Sequence, residues 1–221
     1  MALTKFNYNS FDITPVASKA LAFNSDADGL TTAAEGSMVL IKTLTASSSA
    51  TLSFVDGASD VVLDNTYPIY KFVFNNIHPQ TDDQDLTFNF SIDTGSNYNV
   101  TKTTTYVWTY HYENDTAAEQ VYETGSDLAQ ATGFQKLGRR MGNANDESQS
   151  GELWLFNPSS TTFIKHFMGT AIGHYEDIDG TQRADVAGYV NSTSAVDAAQ
   201  FKMASGNIDA GTIKLYGIKD S

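Results

Sequence analysis

Leu-Thr-Phe-Asn-Phe-Ser-Ile-Asp-Thr-Gly-Ser-Asn-Tyr-Asn-Val-Thr, residues 86–101, decides how this chain folds. Leu86, Phe88, Phe90 and Ile92 alternate with Thr87, Asn89, Ser91 and Asp93. A period of two puts four large apolar side chains on one face of a strand and four polar ones on the other. Asp93-Thr94-Gly95-Ser96-Asn97 then supplies turn chemistry, because Asp accepts from nearby backbone amides and Gly tolerates positive φ. Alternation resumes at Tyr98, and the even positions Val100, Tyr106, Trp108, Tyr110 and Tyr112 carry large side chains among threonines. The stretch therefore predicts a hairpin with a long second strand.

Working outward, the same signal recurs. Met38–Leu44, Thr51–Val55, Val61–Leu63 and Tyr67–Asn75 read as strands on the N-terminal side. Gly151–Phe156, Thr161–Met168, Thr170–Tyr175 and Ala184–Val190 follow, with a turn at Asp177-Ile178-Asp179-Gly180. Ala195–Met203 and Thr212–Ile218 read as a closing hairpin around Ala204-Ser205-Gly206-Asn207, and Trp154 reads as a core residue. About ten strands separated by turn residues predict an all-β, antiparallel β-sandwich of jelly-roll-like type, with a concanavalin-like sandwich as runner-up. Residues 1–35 read as an irregular N-terminal arm, with a short helix over Ala17–Phe23. Residues 36–221 read as one sandwich domain with a long irregular insertion at about 113–150, a length that points to a functional or packed segment.

Composition narrows the function. Lys plus Arg total 13 against 26 acids, a net charge of −13, which argues against nucleic-acid backbones and anionic membranes as partners. The chain has no cysteine, so disulfides, thiolate metal sites and a Cys nucleophile are excluded. The N-terminus lacks the apolar run of a signal peptide, and no run is long enough for membrane insertion. There is no GxGxxG, P-loop, GxSxG or HExxH pattern.

Five groups of residues suggest sites. Asp93-Thr94-Gly95 looks like an aspartic-protease signature, but that chemistry needs two carboxylates sharing a proton, and the chain has one such triplet. Asn24, Asp26 and Asp28, followed by Gly29 and Glu35, have EF-hand spacing, so a structural calcium is the one cofactor suggested; a solvated acidic loop is the plainer reading. Tyr106, Trp108, Tyr110 and Tyr112 form an aromatic stripe suited to glycan stacking or subunit contact, or simply to the core. Arg139-Arg140 is the one paired basic site and suits an acidic neighbour. Asp177 with Asp179, or Glu152 with a neighbour, are the only carboxylates to weigh for a glycan depolymerase.

Ser205-Gly206-Asn207-Ile208-Asp209-Ala210-Gly211-Thr212-Ile213-Lys214-Leu215-Tyr216-Gly217-Ile218 resembles the closing strand of a family of phage virion proteins, the tail-fibre and appendage domains common in marine phages. Tyr70–Ile77 with Leu86–Asn97, and Gly151–Leu155 with Asn157-Pro158, are similar to that family's paired strands and to the strand after its variable middle. The resemblance spans about residues 67–112 and 151–218. It implies a β-sandwich, a homo-oligomer with a trimer favoured, contacts with other virion proteins, and a non-catalytic structural or adhesive role in the virion. A fibre shaft is missing from the pattern, so a compact appendage or capsid-decorating protein is as good a match as a fibre. The arm at 1–35 would then be a tether that orders on assembly. The alternative is a carbohydrate-binding module or receptor-binding tip for host surface glycans, which exposure of Trp108 and Tyr110 would favour.

Overall fold

The computed structural model describes residues 36–175 and 179–220, together with the backbone of Leu21–Phe23 and Leu30–Thr32. Among these residues there is no helix, and the chain forms fourteen strands. Residues 1–38 form one compact unit, in which β1 (Leu21–Phe23) pairs antiparallel with β2 (Leu30–Thr32). The helix expected over Ala17–Phe23 is thus a strand where it is described. Its partner strand, Leu30–Thr32, carries two β-branched threonines that suit an extended pair.

The second unit is an antiparallel β-sandwich. Its strands are β3 (Met38–Thr45), β4 (Leu52–Val55), β5 (Ile69–Pro79), β6 (Leu86–Ser91), β7 (Lys102–Tyr112) and β8 (Ala118–Tyr122). They continue as β9 (Gln135–Lys136), β10 (Gln149–Phe156), β11 (Lys165–Tyr175), β12 (Gly180–Val190), β13 (Ala198–Met203) and β14 (Ile208–Ile218). The large sheet has the order β3-β14-β5-β10-β11-β12-β7-β8, and the small one β4-β13-β6-β9. This order establishes the sandwich; a jelly-roll winding does not follow from it.

Apolar residues at every second position of both sheets meet in one core. Phe54 of β4 and Phe201 of β13 each lie 5.3 Å from Phe72 of β5. Phe88 and Phe90 of β6 lie 5.4 Å and 5.6 Å from Phe167 of β11. These edge-on and tilted pairs span the sheets at distances where aromatic contacts add about 0.5–1.5 kcal/mol beyond burial.

Both predicted hairpins are sheet-to-sheet crossings. β6 pairs with β13 and β9 in the small sheet, whereas β7 pairs with β12 and β8 in the large one. β13 and β14 are likewise divided between the layers. Alternation fixes which face of a strand is apolar, but the connection chooses its partner, and tight hairpins use loops of about 2–5 residues. The connection from Ile92 to Thr101 is longer than that.

The polar face of β6 is not solvent-exposed either: all six of its residues are buried. The 126–136 segment covers it. Asn89 Nδ2 donates to the carbonyls of Thr132 and Tyr98, and Lys136 pairs with Thr87. The segment expected as an irregular insertion therefore packs as part of the sandwich, with β8 and β9 in its sheets and Leu137 and Met141 in the core. Three smaller differences follow the same logic. Val61–Leu63 is not a strand, because its amides serve a turn: Val61 donates to the Ala58 carbonyl and Leu63 to Asp56 Oδ1. The run expected as two strands from Thr161 is the single β11, since Gly169 continues the ladder opposite Val186. Trp154 is half-buried on the outer face while Leu153 and Leu155 face the core.

Candidate functional site

The aromatic stripe lies on the inner face of β7. Tyr106 and Trp108 are buried, and Tyr110 and Tyr112 are half-buried. Trp108 makes an edge contact with Tyr175 at 5.1 Å, and the Arg139 guanidinium lies 4.3 Å from its ring. Its indole N–H donates to Gln182 Oε1 at 3.0 Å. Gln182 Nε2 in turn donates to the Arg139 carbonyl at 2.6 Å and the His174 carbonyl at 2.8 Å. The ring faces of Tyr106 and Trp108 are thus directed at the protein's own side chains, an arrangement that fastens the 123–147 segment to the large sheet.

The acidic neighbours of the two arginines are internal. Arg139 bonds Glu123, and Arg140 Nε donates to Asp83 Oδ1 at 3.0 Å. The Arg139 hydrogen bond holds the Glu123 carboxyl below its ordinary value of 4.5, outweighing a smaller opposing effect of burial.

Asp93 is a turn residue. Its Oδ1 accepts from the Ser91 hydroxyl at 2.7 Å and the Asn97 amide at 2.9 Å, while Oδ2 accepts from Asn97 Nδ2 at 2.7 Å. Hydrogen bonds from the Asn97 side chain and backbone, then from Ser91, lower its pKa. Thr94 and Gly95 both have positive φ, the geometry of a tight turn.

Asn24, Asp26, Asp28 and Glu35 lie outside the described residues, as does Asp177. Of the remaining depolymerase carboxylates, Asp179 is exposed and 3.9 Å from His174 Nε2. Glu152 bonds Lys71 and accepts from the Trp154 indole at 2.8 Å. Burial raises the Glu152 pKa, but these two hydrogen bonds and the Lys71 charge together leave it lowered. A carboxyl held ionised in this way suits binding better than proton donation.

A groove with both apolar and polar walls lies on the other side of the large sheet. It has a volume of about 420 Å³ and lies between Trp154, Met168, Glu152, Thr170, Arg183 and Asp185. β10 and β11 set Trp154 directly opposite Met168, and β12 sets Asp185 opposite Thr170. Lys71 Nζ lies over the Trp154 ring at 4.5 Å. Thr170 donates to Asp185 Oδ1 at 2.7 Å, and Arg183 donates to both oxygens of the same carboxylate. The floor is apolar and the rim polar groups are already oriented by one another, which suits a neutral, hydroxyl-rich or protein surface more than an ion. The sequence did carry this signal: in Glu152-Leu153-Trp154-Leu155 the leucines alternate with the two groove residues.

No family model matches the chain, and no curated protein or solved structure matches it.

Proposed function

We propose that this chain is a non-catalytic structural subunit of a phage virion, a compact tail-fibre-like or capsid-decorating appendage that works as a homo-oligomer, with a trimer favoured. The observation that carries the reading is the apolar surface in the middle of the large sheet's outer face. Met168 is 48% exposed and Ile172 52% exposed, two and four residues apart from Thr170 and Met168 on one face of β11. Mid-sheet apolar side chains left to water suit burial against a second copy or a neighbouring virion protein. The strand resemblance at residues 67–112 and 151–218 gives the particle context. Light scattering tests it: a mass about three times the 24.0 kDa chain supports the appendage. A monomer at every concentration used would remove the self-assembling form.

A receptor-binding tip is the second reading, favoured by the Trp154 groove. Titration with host-surface glycans should then shift Trp154 fluorescence, and Trp154→Ala should abolish the shift while Trp108 stays in place.

A further inference from the structure

The inner face of β7 begins with a charged residue in an apolar setting. Lys102 is fully buried, and among the described residues no carboxylate pairs with it. Its Nζ lies 2.5 Å from Asn89 Oδ1 and 2.8 Å from the Val100 carbonyl. Asn89 is itself immobilised. Its Nδ2 donates to the carbonyls of Tyr98 at 2.6 Å and Thr132 at 3.0 Å, and its Oδ1 also accepts from the Phe90 amide at 2.8 Å. A carbonyl carbon is about 1.23 Å from its oxygen, so Asn89 Cγ lies within about 3.7 Å of Nζ whatever the angle. That is close to the separation of about 3–3.5 Å at which bound groups react.

We propose that Lys102 and Asn89 join in an intramolecular isopeptide bond that ties the small sheet to the large one. The lone pair of neutral Lys102 Nζ forms a bond to Asn89 Cγ, and the Cγ–Nδ2 bond breaks. Nδ2 takes the proton that Nζ sheds and leaves as ammonia, so the step needs no oxidant and no co-reactant. The Phe90 amide, already aimed at Oδ1, holds the charge that develops on that oxygen. Burial excludes the water that would otherwise hydrolyse the amide. It also pushes the Lys102 ammonium down to about 7, so a large share of the lysine is the nucleophilic free amine at neutral pH. The two residues are 13 apart in sequence and belong to different layers, so the bond would close the crossing between β6 and β7 covalently in a chain without disulfides.

The test is mass spectrometry of the full chain, purified after folding at neutral pH and then denatured. The expected intact mass is one ammonia below that of the sequence. Trypsin should fail to cut after Lys102, giving one peptide spanning residues 72–136, lighter by one ammonia and lacking fragment ions between Asn89 and Lys102. A 72–102 peptide of full mass would overturn the proposal. So would a 72–102 peptide lighter by one ammonia, which would mark a succinimide at Asn89 instead. Lys102→Met should restore the full mass. Because the decisive readout is on the native chain, failure of that variant to fold leaves the test intact.

Discussion

Glu123 carries a charge that the folded state prefers to keep. Its pKa is lowered by Arg139, so it binds a proton less readily folded than unfolded. Its contribution is present above the ordinary value of 4.5 and is lost as pH falls through the lower folded value. The difference in melting temperature between the native chain and Glu123→Gln should accordingly be constant near neutrality and shrink in acid; an unchanged difference at low pH would show that the charge is not what the variant removes. Phe72 lies between Phe54 and Phe201 and is fully buried. Phe72→Ala should cost about 3–5 kcal/mol in denaturant unfolding, because the cavity forms where two sheets meet. Residue character was readable where it followed the alternation. Phe88, Phe90 and Phe72 are core, as their spacing says. Trp154 and Asn89 were harder to read: size alone suggested core for the first, and polarity alone suggested solvent for the second. The segment that covers Asn89 is distant in sequence and leaves no periodic trace.

At the level of strands, the pattern identified ten of the fourteen described elements, missing β1, β2, β8 and β9, and joined β11 to β12 correctly, but it failed on the partners of β6 and β13. β6 and β13 each end in turn residues that look like a hairpin's, yet each hands the chain to the other layer. Asp93 and its partners shape the first of these handovers. Asp93→Ala removes an acceptor for three donors and should lower the melting temperature, with no change in any proteolytic activity, since the carboxylate serves the turn. β14 is irregular opposite β5, where the register shifts on both sides of Ala210. Gly211 has φ 113°, and a Cβ there would meet the Asn76 carbonyl at 2.5 Å. An ordinary strand glycine replaced by alanine gains stability, whereas Gly211→Ala should lose about 1–3 kcal/mol; an equally stable variant would mean that the bulge can relax.

For the whole molecule, the two layers are unequal, eight strands against four. The small sheet cannot cover the large one alone, and the 123–147 segment completes the covering through Trp108, Gln182 and the paired arginines. Among the described residues, Met168 and Ile172 on the opposite face are left exposed. Replacing both with lysine should leave the fold intact, since neither side chain is in the core, and should reduce the solution mass to that of one chain. A stable oligomer in the double variant would place the interface elsewhere, with the edge strand β8 next to examine.

The position of β5 has a consequence for how the protein is made. Its neighbours in the large sheet are β10 and β14, so a strand from the first half of the chain waits for the last one before its edges are satisfied. β10, β11 and β12 form a contiguous meander that local contacts can assemble early. The pairing that closes the sheet is long-range and slow by comparison. During synthesis β5 is therefore unpaired until β10 emerges and half-paired until β14 does, an interval in which a neighbouring copy's strand is the competing partner.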